Sequence, residues 1–95
     1  MRIKKSQNIF LKQLIQDYLP GSAVYLIGSR ANDSLKGGDI DVLVVGARQL
    51  TGQEKRNVKI AFYKEFGEQK IDLVSFKRDE QSSFKDYALL DSVEL

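Results

Sequence analysis

The segment from Ile40 to Val45 restricts the fold of this chain more than any other part of the sequence. It reads IDVLVV, and beyond Asp41 it is apolar at every position rather than at alternate ones. Side chains of a strand point alternately to the two faces of a sheet, so a continuous apolar run predicts a strand buried inside a sheet. The chain must therefore supply neighbouring strands and helices that enclose it.

The remaining periodicities predict elements of ordinary length around this strand. Apolar residues at intervals of three and four indicate helices, and β-branched or aromatic runs that end at glycine indicate strands. There is no internal repeat or low-complexity linker, so residues 1–95 are predicted to form a single α/β domain. In the first half of the chain we predict a helix over Ser6 to Leu19, a strand over Ala23 to Ile27, a short helix or loop, and the strand over Ile40 to Val45. In the second half we predict a helix capped by Thr51 and ended by Gly67, a strand over Ile71 to Phe76, and a closing helix over residues 82–95.

The composition removes several kinds of chemistry. The chain contains no cysteine and no histidine. This excludes disulfides, thiol nucleophiles, imidazole bases and the usual zinc ligands. Catalysis would have to use carboxylates, hydroxyls, Lys or Arg, and a bound metal would be a hard cation with oxygen ligands, such as Mg²⁺.

The charge balance predicts neither a nucleic-acid partner nor a membrane partner. Fifteen basic and thirteen acidic side chains give a formal net charge of +2. The basic N-terminal segment MRIKK is followed by a stretch that Lys12, Gln13, Gln16 and Asp17 interrupt, so we expect neither a signal peptide nor a membrane span. The expected location is the cytoplasm.

Three aspartates are the strongest candidates for a functional site. Asp39 and Asp41 stand two residues apart at the start of the buried strand, so their side chains point to the same face, with α-carbons about 6.5 Å apart. Asp72 lies in the next predicted strand, KIDLVSF, and would join them if the two strands are neighbours. Three carboxylates with two hard cations suit phosphoryl or nucleotidyl transfer. Asp72 would then bind one metal and either lower the pKa of the attacking hydroxyl or accept its proton.

A candidate phosphate-binding segment precedes this pair. Gly28, Ser29 and Arg30 follow the predicted strand that ends at Ile27. Glycine allows close approach of the backbone, free amides at a helix start favour phosphate, and Arg can add a bidentate contact. Beside a metal-binding acid pair, such a segment predicts a nucleoside triphosphate as ligand.

These residues together resemble the minimal nucleotidyltransferases of the DNA polymerase beta superfamily. The signature of that family is Gly-Ser, a spacer, Asp-x-Asp in a hydrophobic strand and a third Asp in a later strand. Here it reads Gly28-Ser29, nine residues, Asp39-Ile40-Asp41 and then Asp72. Gly38 is a departure, because many relatives have Ser directly before the first Asp.

The resemblance implies a nucleotidyltransferase fold, with a small mixed sheet and helices packed mainly on one face. It also implies Mg²⁺-dependent transfer of AMP from ATP to a hydroxyl, with pyrophosphate leaving. Asp39, Asp41 and Asp72 would hold the metal, with two ions expected. Stand-alone relatives resemble the antitoxin of a two-gene pair, and characterised members adenylylate a tyrosine of a helical, HEPN-type toxin partner. A homo- or hetero-oligomer is compatible with this interpretation.

Other interpretations of the same residues stay open. Asp39 would also suit a loop, Asp72 an exposed strand face, Gly28-Ser29 a simple turn and Arg30 a surface ion pair. At the level of function, the alternatives are a non-catalytic antitoxin or scaffold that neutralises its partner by contact, and nucleotidyl transfer to a small molecule.

Two further sets of residues have simpler interpretations. The basic side chains of the helix that follows Thr51 are expected to form its solvated face, and its aromatic side chains to face the core or a partner. The basic set is Lys55, Arg56, Lys59 and Lys64, and the aromatic set is Phe62, Tyr63 and Phe66.

Overall fold

A computed structural model describes residues 4–27 and 40–95. The short helix or loop expected between the first two strands falls within residues 28–39, outside the described residues. Three helices and four strands are present in this part of the chain: α1 (Lys5–Tyr18), β1 (Ala23–Ile27), β2 (Ile40–Gly46), α2 (Gly52–Phe66), β3 (Ile71–Lys77), α3 (Ser83–Leu90) and β4 (Val93–Glu94).

The strands form one mixed sheet in the order β3-β2-β1-β4. Strand β1 is antiparallel to both β2 and β4, whereas β2 and β3 are parallel. Parallel neighbours need a crossover connection, and α2 supplies it. The prediction of an α/β (α+β) fold with a small mixed sheet is therefore confirmed.

The strand β2 is buried on both faces, as its continuous apolar sequence predicts. On one face, Val42 and Val44 belong to the main hydrophobic core together with residues of α1 and α2. On the other face, Leu43 is fully buried, and Phe76 of β3 contacts Phe84 of α3 with ring centroids 6.3 Å apart. Two helices therefore cover one face and the shorter α3 covers part of the other. The core residues from the two long helices are Leu11, Ile15, Val58 and Phe62.

The start of α2 confirms the predicted capping box. The Thr51 hydroxyl accepts a hydrogen bond from the Glu54 amide at 3.1 Å, and the Glu54 carboxylate accepts one from the Thr51 amide at 2.9 Å. This reciprocal pair satisfies two amides that the first turn of a helix leaves without helical partners. At the other end, Gly67 adopts a positive φ of 88°, which suits glycine better than other residues.

Arg48 pairs with Glu54 of this cap and makes the stability of the fold depend on pH. Its guanidinium donates two hydrogen bonds of 2.8 Å to the Glu54 carboxylate. These bonds, followed by the one from the Thr51 amide, lower the pKa of Glu54 from 4.5 to about 2. A carboxyl group with a lowered pKa in the folded state stabilises the fold above its unfolded pKa. The stabilisation is therefore complete above about pH 4.5 and is lost as the pH falls toward 2.

We expect Glu54→Gln to remove this pH dependence. The free energy of unfolding of the wild type should fall more steeply than that of the variant between pH 4.5 and 2. Urea titrations at several pH values across this window measure the difference. Parallel pH profiles for the two proteins would show that Arg48 does not stabilise the charged cap.

The C-terminus differs from the prediction. The closing helix ends at Leu90, and Val93–Glu94 forms the short strand β4 beside β1. The Leu95 amide continues this pairing by donating to the Val24 carbonyl at 2.8 Å. The prediction of helix to the end of the chain was wrong, because β4 satisfies backbone groups along the outer side of β1, which an edge strand would otherwise leave without strand partners.

Within residues 4–27 and 40–95, no helix combines the length and the apolar character that crossing a membrane requires.

Candidate active site

Two of the three predicted aspartates lie directly opposite each other in the sheet. Asp41 of β2 and Asp72 of β3 are partners in the parallel register. Neighbouring strands are about 4.8 Å apart, so the two backbones are close enough for both carboxylates to share a ligand. Each residue is half-buried. Asp72 was expected to join the acid pair if its strand is a neighbour of β2. The strand pairing meets this condition.

The starts of the two strands explain this alignment. The Ile40 amide donates to the Lys70 carbonyl at 3.0 Å, so β2 and β3 begin at the same level. Ile40 and Ile71 are partners in the register and are both buried on the core face. Because side chains alternate along a strand, the aspartate that follows each isoleucine lies on the opposite face. Burial of the isoleucines thus fixes the face on which the aspartates lie.

The acid pair continues a row that extends across three strands. Asp41 pairs with Ile27, the last residue of β1, on the side away from Asp72. The chain then continues from Ile27 into Gly28. The predicted phosphate-binding residues Gly28, Ser29 and Arg30, and the third acid Asp39, lie outside the described residues.

The donor chemistry at this point fits a hard divalent cation. Carboxylate oxygens on adjacent strands are ligands that Mg²⁺ accepts, usually together with substrate oxygens and water. Among residues 4–27 and 40–95, no three acidic side chains come close enough to hold a metal ion. In that part of the chain, Asp41 and Asp72 are the two carboxylates at this point that could hold such an ion.

An open groove adjoins the acid pair on its β3 side. It has a volume of about 400 Å³ and lies between the outward side of α2 and the start of β3. Asp72 is part of its wall, so the groove and the acid pair share a residue. The other residues that line it are Lys59, Ile60, Tyr63, Lys64, Gln69, Lys70 and Ile71.

A family comparison identifies the class of domain. The family described as "Nucleotidyltransferase domain" matches residues 8–94, nearly the whole chain. The chain belongs to this family. The expectation that the Gly-Ser, Asp-x-Asp and later Asp motifs carried is therefore confirmed at the level of the family. A comparison with curated protein sequences finds no significant match.

Solved structures of toxin–antitoxin complexes share this nucleotidyltransferase fold. A tri-AMPylated HEPN toxin of Shewanella oneidensis in complex with its MNT antitoxin matches with a TM-score of 0.69 and 18% identity, over 97% of this chain and 71% of that chain. A mutant MntA–HpeT toxin–antitoxin complex matches with a TM-score of 0.73 and 20% identity, over 98% and 72%. A toxin–antitoxin structure with AMP-PNP matches with a TM-score of 0.72 and 19% identity, over 92% and 70%. At such identities the likeness establishes the fold.

The residues of the groove were not identified as a site from the sequence. The sequence predicts Lys59 and Lys64 on the solvated face of the helix and Tyr63 facing the core or a partner. The structure separates the aromatic residues of α2: Phe62 is fully buried, whereas Tyr63 is 58% exposed in the groove. The helical spacing of Lys59, Ile60, Tyr63 and Lys64 would have placed all four on one face. Nothing in the sequence placed the start of β3 beside that face.

Proposed function

We propose that this nucleotidyltransferase moves AMP from ATP onto a hydroxyl of a partner protein, most simply a tyrosine, and acts as the antitoxin of a toxin–antitoxin pair. The observation that carries the proposal is the register of Asp41 with Asp72 in a chain of the nucleotidyltransferase family. Two aligned carboxylates beside an open groove suit a reaction that needs a metal, a polyphosphate and a second substrate.

Each candidate residue has a role in this proposal. Asp41, Asp72 and Asp39 would hold Mg²⁺, with two ions expected. When bound, the metal would stabilise negative charge on the phosphate oxygens. Gly28, Ser29 and Arg30 would bind the triphosphate through backbone amides, a hydroxyl and a guanidinium.

The chemical step is a substitution at the α-phosphorus of ATP. The acceptor oxygen forms a bond to that phosphorus, and the bond to the departing pyrophosphate breaks. In this proposal Asp72, which is part of the groove wall, would take the proton that the acceptor hydroxyl releases. The products are the adenylylated acceptor and pyrophosphate.

Support for a helical protein partner comes from the structural neighbours. One of them contains an AMPylated HEPN toxin bound to an MNT antitoxin, and another contains AMP-PNP. This chain aligns with those proteins over more than nine-tenths of its length. By analogy, we propose a HEPN-type protein as the partner and ATP as the nucleotide.

The proposal predicts that removal of the metal abolishes transfer. Protein, purified partner and Mg²⁺ should label the partner when ATP carries the label in its α-phosphate. A chelator should remove the labelling, and added Mg²⁺ should restore it, because the carboxylates need the cation to bind the polyphosphate. ATP labelled in the γ-phosphate is the control and should give no labelled partner. Labelling from the γ-phosphate instead would indicate phosphoryl transfer and contradict the proposal.

A second candidate function is neutralisation by contact alone. The exposed side of α3 carries Phe84, Tyr87 and Leu90, which are 53%, 75% and 79% exposed. An apolar stripe of this kind is typical of a surface that another protein covers. A contact-only antitoxin would neutralise its partner equally well after a chelator has removed Mg²⁺ and in the absence of ATP. An adenylylating antitoxin would need both Mg²⁺ and ATP.

A further inference from the structure

The groove between α2 and β3 is chemically distinct from the acid pair that it adjoins. Three lysines line it, Lys59, Lys64 and Lys70, and Asp72 is the one acidic residue in its lining. Its apolar floor and walls include Ile60 and Tyr63, which are 45% and 58% exposed. The groove therefore offers positive charge and apolar surface together.

The groove lies beside β3, at the edge of the sheet next to Asp72. β2 lies between β1 and β3, so Asp41 has Ile27 on one side and Asp72 on the other. The predicted triphosphate-binding residues follow Ile27 along the chain. The groove lies on the β3 side and includes Asp72, the proposed proton acceptor. Because β3 is an outer strand of the described sheet, a molecule in the groove would approach Asp72 around the edge of the sheet.

We propose that this groove binds an acidic segment of the protein that carries the acceptor hydroxyl. The charge of the groove favours carboxylates, since Lys59 and Lys64 of α2 line it together with a single acidic residue. Ile60 and Tyr63 would pack against apolar or aromatic side chains of the same segment. The proposal rests on the proposed function and names the class of its second substrate.

An extended segment suits the groove because β3 is an outer strand of the described sheet. Beyond residue 70 its outer side offers backbone groups to a peptide that lies alongside it. A peptide can use the lysines, the apolar wall and this strand edge at the same time. A nucleic acid would use the lysines alone with Tyr63 as its single stacking surface, so the observations favour a peptide.

Binding of defined peptides to the full chain tests the proposal. The probe is a fluorescein-labelled peptide of about ten residues with a single tyrosine flanked by glutamates, and the control peptide has glutamine in place of each glutamate. Fluorescence anisotropy in the presence of Mg²⁺ should show binding of the acidic peptide at least about tenfold tighter than the control, with an affinity that falls as salt is added. Equal affinities for the two peptides would overturn the proposal.

Charge reversal in the groove gives the matched comparison. Lys59→Glu/Lys64→Glu should weaken binding of the acidic peptide by about tenfold or more. Lys59→Gln/Lys64→Gln should act in the same direction to a smaller extent. Lys5→Glu/Lys12→Glu, on α1 and outside the groove lining, makes the same change in net charge and should leave the affinity unchanged. Equal losses in the two charge-reversal variants would reduce the effect to net charge and overturn the proposal.

Kinetics separate this inference from the proposed function. In the transfer assay, the groove variant should raise the KM for the acceptor and leave the KM for ATP unchanged. A rise in the KM for ATP, or competition by an RNA oligonucleotide that is tighter than the acidic peptide, would assign the groove to phosphate and overturn the proposal. Lysine-dependent peptide binding without any AMP transfer would reject the proposed function while retaining the groove. AMP transfer that is unchanged by the Lys59 and Lys64 substitutions would reject the groove proposal and retain the proposed function.

Discussion

Asp41→Asn should reduce AMP transfer to the partner by roughly a thousandfold. The substitution preserves the size of the side chain but removes the negative charge from the middle position of the Ile27, Asp41, Asp72 row. Loss of a carboxylate that holds the metal should cost about 4 kcal/mol in the transition state, and each 1.36 kcal/mol corresponds to about a factor of ten in rate. Steady-state transfer with α-labelled ATP measures the effect.

The control for Asp41→Asn is the same substitution at an exposed aspartate. Asp79 lies in the turn after β3, in a surface position outside the sheet. Asp79→Asn should retain transfer within about twofold, because surface substitutions away from a site have small effects. Circular dichroism establishes that both variants are folded. Transfer by Asp41→Asn at a rate close to that of the control would contradict the assignment of the acid pair.

Phe62→Ala should cause the largest loss of stability among single substitutions in α2. Phe62 is fully buried, and its ring centroid lies 6.2 Å from that of Phe10 and 4.8 Å from that of Phe66. Truncation of a buried phenylalanine to alanine typically costs about 3–5 kcal/mol, and the whole stability of a domain is about 5–15 kcal/mol. Urea unfolding followed by circular dichroism should show a large decrease in the midpoint.

Its neighbour in the sequence provides the control. Tyr63→Ala removes a similar aromatic ring from the next position of the same helix, where the side chain is 58% exposed. It should change the free energy of unfolding by about 0.5 kcal/mol or less. Similar losses of unfolding free energy in the two variants would contradict the structure, in which Phe62 faces the sheet and Tyr63 faces outward.

Much of the fold could be predicted from local patterns. The apolar run of β2, the capping box of Thr51 with Glu54 and the stop at Gly67 each concern a few neighbouring residues, so the sequence contains what determines them. The two-residue strand β4 could not be predicted in this way, because its conformation depends on pairing with β1. A segment of two residues has no periodicity to detect.

The pairing of Asp41 with Asp72 was predictable to a similar degree. The face of each of these aspartates follows from alternation along its strand, and the sequence motif indicated that their strands are neighbours. The groove was not predictable, since the lysines of α2 and Lys70 are brought together by the crossover from β2 to β3. Spacing along one helix indicates which residues share a face, but it does not indicate which other element packs beside that face.

The central claim is that this chain neutralises its partner by chemistry and not by contact. The most direct measurement is a neutralisation assay in which the toxic activity of the partner is measured after incubation with ATP, Mg²⁺ and either the wild type or the Asp39→Asn/Asp41→Asn variant. Intact-mass spectrometry of the partner is recorded on the same samples. We predict that the wild type abolishes toxicity and adds adenylate to the partner, and that the variant does neither. Full neutralisation by the variant, with no change in the mass of the partner, would contradict the account.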